Sequence, residues 1–174
     1  MDWIERLNRD VTGRVPLLLG GGICPVEVLQ WAYSPALQDN VPHRHTFFEV
    51  CLVGSYGSGV FRVGNEDRPI SPGELFIARP GVLHQIRNTS SPLMELSWVS
   101  FTLAPVASKS VPVLQSFLSS AQVVVSERVH TLTPSWNLSL RAMAENSEAS
   151  ILSVTALATA LLTAILHSGT GGIL

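Results

Sequence analysis

Pro42-His-Arg-His-Thr-Phe-Phe-Glu49 and, further on, Gly73-Glu-Leu-Phe-Ile-Ala-Arg-Pro-Gly-Val-Leu-His-Gln-Ile-Arg-Asn88 are the stretches that decide the fold. Along an extended strand, side chains alternate between faces, so His43, His45 and Glu49 are expected to project the same way. By the same parity Phe47, Cys51 and Val53 share that side. His84 lies on a later strand, reached through a turn rich in Gly and Pro, and Ile86 and Asn88 share its face. If the two strands pack together, three imidazoles and a carboxylate converge. Such a set can hold one divalent transition metal (Zn, Ni, Fe, Mn or Cu) with positions left open, or form a metal-free polar pocket of mutual hydrogen bonds.

Working outward, residues 14–101 read as β. Short runs of β-branched and aromatic residues (Val26–Tyr33, Phe47–Val53, Val60–Val63, Leu75–Ala78, Leu93–Phe101) alternate with turn residues. Gly64-Asn65-Glu66-Asp67 reads as a hairpin turn and Ser71-Pro72-Gly73 as another. Many short strands with frequent turns predict a sandwich or a closed barrel. Before them, residues 2–11 predict a short helix, with Asp2 as N-cap and Trp3, Ile4, Leu7 and Val11 on one face.

Beyond residue 104 the texture changes. Gly is absent from 82 to 168, and 111–121, 135–148 and 150–167 predict helices. The last is apolar nearly all round. Leu157, Leu161 and Ile165 form a stripe of large residues beside a stripe of Thr and Ala. It is expected either to be buried in the core or to pack on its copy in a homodimer, the latter preferred. Residues 149–166 carry no charge, but Ser150, Ser153, Thr155, Thr159 and Thr163 interrupt them and no aromatic belt follows. A membrane span is therefore not expected.

Composition sets the bounds. The chain has 174 residues, 46% hydrophobic and 14% charged, enough for one sizeable core. Eleven Lys and Arg against thirteen Asp and Glu give a net charge of −2, without the basic cluster of a nucleic-acid reader. Cys24 and Cys51 form no metal-ribbon spacing and are expected as reduced, buried thiols of a cytoplasmic protein. The N-terminus lacks the apolar region of a signal peptide. Arg62 and Arg79 could hold an acidic ligand but are expected as solvated surface. His130 and His167 are isolated, and Asn88 is expected to cap rather than to touch a ligand.

The two opening stretches resemble the paired signature motifs of the cupin superfamily. His43, His45 and Glu49 fit the first, with Gly57 one place late. Gly73, Gly81, His84 and Asn88 fit the second, with Pro80 one residue beyond its usual place. Within that superfamily the chain resembles most the N-terminal ligand-binding and dimerisation domain of AraC-type transcription regulators. Phe48-Glu49-Val50 and Pro72-Gly73-Glu74-Leu75-Phe76-Ile77 carry this likeness, together with the helical tail.

The resemblance implies a mostly-β fold: a small jelly-roll-like cupin barrel with an N-terminal arm over residues 1–104, then a helical dimerisation or linker segment over 105–174. It implies a small-molecule effector in the barrel, with His43, His45, Glu49 and His84 as a possible metal set and Phe47, Cys51, Ile86 and Trp98 as ligand neighbours. It implies a homodimer through Leu157, Leu161 and Ile165. DNA would be reached only through a downstream domain not in this sequence. The competing expectation is a metal-dependent cupin enzyme: a dioxygenase, isomerase or decarboxylase.

Overall fold

A computed structural model describes residues 2–19, 22–103, 112–120, 124–125, 133–146 and 151–168. His130 and the tail after Ser168 lie outside these. In chain order the elements are α1 Trp3–Asp10, β1 Gly13–Leu19, β2 Gly22–Ser34, β3 Phe48–Val53, β4 Gly59–Val63, β5 Glu66–Ile70, β6 Leu75–Ala78, β7 His84–Asn88, β8 Leu96–Leu103, α2 Pro112–Ser119, β9 Val124–Val125, α3 Thr133–Glu145 and α4 Ile151–Ser168. Most are antiparallel strands, and helices close the chain, as expected. Two compact units share them: Met1–Trp31, Phe101–Gln122 and Ser135–Leu174 in one, Ala32–Ser100 and Val123–Pro134 in the other.

In the first unit α1 begins where Asp2 accepts the Ile4 amide, at 3.4 Å, and it buries Trp3 and Leu7. Asn8 then brackets the main chain of Trp31, accepting from its N–H and donating to its carbonyl, both at 2.8 Å. β1 and β2 form a hairpin from Gly13↔Val28 to Leu19↔Gly22. Against β1, α1 and α2 packs α4. It buries Val154, Ala158, Leu161, Leu162, Ile165 and Leu166. The hydroxyls of Thr159 and Thr163 donate to carbonyls one turn back, at 2.8 and 2.9 Å, so the polar positions of this apolar helix are satisfied locally. No helix among the described residues is long and apolar enough to cross a membrane.

The second unit holds two antiparallel sheets. One runs β8-β3-β6-β9 and the other β5-β4-β7. Cys51, Val53, Phe61, Ile70, Phe76, Ala78, Ile86, Met94 and Leu96 pack as one core drawn from both sheets, with Leu37, Val63 and Trp98 against it. β5 was not expected: Glu66 and Asp67 read as the second half of a hairpin turn, and no strand was expected at 68–70. It is an edge strand, four of its five residues exposed, paired to β4 from Val63↔Glu66 outward, so the turn narrows to Gly64-Asn65. Gly57 has a reason for being glycine. Its φ is +78°, and a Cβ there would collide with the Met94 backbone.

One expectation is corrected here. Residues 43–49 are not a single strand: β3 starts only at Phe48, and His43 makes an isolated bridge to His84. The reason is a change of sheet. His43 pairs with the chain entering β7, whereas β3 pairs with β6 through Glu49↔Ala78. Between them the chain crosses from one sheet to the other. The β6–β7 connection makes the same crossing alongside, with the Gly81 amide donating to the His45 carbonyl at 2.8 Å.

Candidate metal and ligand site

The two crossings bring both motifs together. His43 and His84 exchange main-chain hydrogen bonds of 3.0 and 2.9 Å. Residues 37–43 are fastened along β7 by side chains that imitate a strand. Asn40 accepts the Ile86 amide at 2.7 Å, and Asp39 accepts the Asn88 amide at 2.8 Å. The Asn88 side chain donates to the Leu37 carbonyl and to Asp39, and accepts the Met94 amide at 2.8 Å. Asn88 is thus a clasp, as expected. Asp39 and Asn40 were missed, although a Gln38-Asp39-Asn40 run before the first histidine is the kind of signal that side-chain mimicry of backbone leaves.

His43, His45 and His84 form a group whose candidate ligand atoms lie within 4.8 Å of one another. The ring centroids are 4.4 Å apart for His43–His84, 4.9 Å for His45–His84 and 6.1 Å for His43–His45. Each Nδ1 sits on a nearby carbonyl: His43 on Val41 at 2.9 Å, His45 on Phe47 at 2.8 Å, His84 on Val82 at 2.9 Å. A carbonyl only accepts, so in the neutral ring each Nδ1 carries the proton and each Nε2 presents a lone pair. Two of these, on His45 and His84, are buried without a hydrogen-bond partner. Three lone pairs held this way by carbonyl contacts are what an imidazole metal site requires. Burial pushes the His84 pKa down, and the two neighbouring imidazoles add to the effect, so this ring favours the neutral form.

The other expected residues divide. Glu49 stands outside the group, and its Oε1 accepts from the Cys51 thiol at 3.7 Å. Cys51 is free and buried. Burial, then the Glu49 charge, raises its pKa well above the ordinary thiol value. The side chain of Cys24 is not among those described. Cys51 and Ile86 lie in the core of the second unit, and Trp98 packs against it half-buried. Its neighbour Ser97 is itself buried, 4% exposed. Phe47 stacks on His45, with centroids 4.0 Å apart and planes 1° from parallel, and so braces that ring. Arg62 pairs with Asp67 at the surface. Arg79 is half-buried, its guanidinium 6.0 Å above the Phe48 ring. In the first unit Leu161 and Ile165 are 6% and 2% exposed, covered by this chain itself, and Leu157 is half-buried.

A family model described as the AraC-like ligand binding domain matches residues 34–162. An uncharacterized HTH-type transcriptional regulator, YfiF of Bacillus subtilis (strain 168), is 28% identical over 103 residues, which make up 56% of this chain and 32% of YfiF. The chain thus spans about a third of the length of that relative. Among solved structures, an RmlC-like cupin from Shewanella frigidimarina NCIMB 400 matches 53% of this chain and 86% of its own at 18% identity, with a TM-score of 0.35. A cupin 2 conserved barrel domain protein from Rhodopseudomonas palustris matches 54% and 72% at 17% identity, with a TM-score of 0.33. The ribosomal oxygenase YcfD from Escherichia coli, solved with cobalt and succinic acid, matches 52% and 27% at 17% identity, with a TM-score of 0.36.

Proposed function

The chain belongs to the AraC-like ligand binding domain family, and from that premise we propose that it is the effector-sensing and dimerisation part of an AraC-type transcription regulator. The effector is a small molecule bound beside His43, His45 and His84 with the help of a divalent metal. The observation that carries this reading is the convergence of three imidazoles, with the Nε2 atoms of His45 and His84 buried and unpartnered. Buried polar atoms are costly to leave unpaired, and a cation meets that need without a proton. Such an ion, once bound, supplies open coordination positions to an oxygen ligand. The chain's own residues do the rest. Phe47 holds the His45 ring, the Asn40–Asn88 clasp holds His43 against His84, and Cys51, Ile86 and Trp98 supply an apolar flank.

Residues 105–174 form the proposed dimerisation and linker segment, which would pass the signal to a DNA-binding domain downstream. Along α4 the side left open carries Leu152, Ala156 and Ala160, with Leu157 at its margin. A second copy packs there, and Leu161 and Ile165 support it from within. A ligand signals only if it binds one arrangement of these parts better than another.

The test is the metal content of the chain purified without an affinity tag. About one equivalent of Zn, Ni, Fe or Mn per chain is expected. In a reporter strain carrying the full-length regulator, His84→Gln should abolish the effector response while the protein still accumulates. A wild-type chain that binds none of these ions, even when they are offered after purification, sinks the metal reading.

A further inference from the structure

α3 ends without the usual stop signals. Helices commonly close on a glycine, or on a basic side chain near the last turn, either of which serves the final carbonyls. No glycine lies between residues 82 and 168, and the last turn of α3 holds Glu145 and no basic residue. A carboxylate at that end opposes the helix dipole. The cap comes from far away in sequence. Arg6 of α1 donates through Nη1 to the Ala144 carbonyl at 2.9 Å and to the Asn146 carbonyl at 2.7 Å. Its own charge is answered one turn on: Nε lies 3.6 Å from the Asp10 carboxylate, and the two side chains are only 14% and 10% exposed. Charge-assisted bonds sheltered in this way are stronger than those of an open surface pair. The same eight-residue helix grips a second place. Asn8 brackets the main chain of Trp31, and the Trp31 indole donates to the Val11 carbonyl at 3.2 Å. Trp31 is the last residue of β2 before the chain enters the unit that holds the three histidines. α1 also packs on α4, which begins at Ile151, soon after α3 ends at Glu145. With so short a tether, the end of α3 fixes where α4 starts.

We propose that α1 is a staple: Asn8 holds the exit of β2, Arg6 holds the end of α3, and together they set where α4 begins and how its open side meets a second copy. Arg6 is a positioning residue, a member neither of the histidine group nor of the open side of α4. The last step rests on the dimer proposed above, and the staple itself does not.

Amide hydrogen exchange of the full chain reads the staple, and sedimentation reads its consequence. Arg6→Gln should speed exchange over residues 141–146 about tenfold, as loss of hydrogen bonds from a charged group implies. Through α1 it should also speed exchange at Trp31. Asn8→Ala removes the acceptor of the Trp31 amide, so exchange should rise there first and, through α1, over residues 141–146 as well. Both variants should keep β4 and β7 as protected as in the wild type. Arg6→Lys retains the charge and a donor and should recover most of the protection. At equal concentration Arg6→Gln and Asn8→Ala should each dimerise severalfold more weakly. Unchanged exchange over residues 141–146 in Arg6→Gln overturns the cap. A rise confined to each variant's own contact overturns the coupling, and so does an even rise that includes β4 and β7, which is loss of general stability. If Arg6→Gln does not fold, Asn8→Ala decides the coupling by itself. A dimer of undiminished strength alongside both local rises overturns the link to α4. A monomeric wild-type chain sinks the dimer beneath the last step, and the exchange results alone then uphold or overturn the staple.

Discussion

At the scale of single residues, His84 sets a pH dependence. His84 is 1% exposed, its Nδ1 donates to Val82, and His43 and His45 face it. Its pKa lies below the ordinary 6.5 because burial and the two neighbouring rings oppose the charged form. Once the metal-free chain unfolds, this ring takes up a proton near its ordinary value, so in that range the unfolded state binds more protons. Stability therefore rises with pH through the window just below 6.5 and is lost as pH falls toward the depressed value. Urea unfolding of chelator-treated chain should show the midpoint falling from pH 7.5 to pH 5.5. In His84→Gln the drop should be smaller, and an identical drop would count against this ring as its source. The three histidines were legible because HxH and a later histidine are chemically unusual. Glu49 was read with them from its spacing, and in the structure its carboxylate accepts from the Cys51 thiol.

At the scale of elements, alternation within one strand was expected to orient the site, and a change of sheet does so instead. The runs Val60–Val63 and Leu75–Ala78 were legible as strands because β-branched and aromatic residues between turn signals have few other uses. β5 was not, because an edge strand is held by a neighbour's backbone and needs no apolar pattern. Nor was the fastening of residues 37–43, since Asp39, Asn40 and Asn88 act through single hydrogen bonds that leave no periodicity. This segment carries His43, so its clasp would govern the proposed metal site. Asn40→Ala is expected to weaken metal binding about tenfold by calorimetry, although no ligand is touched. Unchanged affinity would mean that the His43–His84 bridge holds by itself. Gly57→Ala tests the turn between β3 and β4. The left-handed conformation costs a side chain about 1–3 kcal/mol, and contact with the Met94 backbone adds to it. A clear fall in Tm is expected, with the metal stoichiometry of the folded fraction unchanged.

At the scale of the molecule, α4 has a covered side and an open one. A helix this apolar could not be assigned from sequence, since burial in its own chain and burial in a partner leave the same pattern. The structure shows which side this chain itself covers. Leu161 is 6% exposed and Ile165 2%, whereas Leu152 is 77% exposed and Ala156 and Ala160 are open. Leu161→Ala should therefore act on folding, costing about 2–5 kcal/mol as other buried leucines do. Ala160→Glu places a charge on the open side and should leave unfolding of the isolated chain nearly untouched. If that side meets a second copy, sedimentation should find the wild-type chain dimeric and Ala160→Glu monomeric at equal concentration. Small residues there allow two backbones to approach closely, so one carboxylate at each copy's contact is both a steric and an electrostatic obstacle. Leu161→Ala would lower Tm yet keep the folded fraction dimeric. Two results reverse the assignment: a dimer that survives Ala160→Glu, or one that dissociates in Leu161→Ala while the fold persists. Either would move the interface back toward the stripe of large residues.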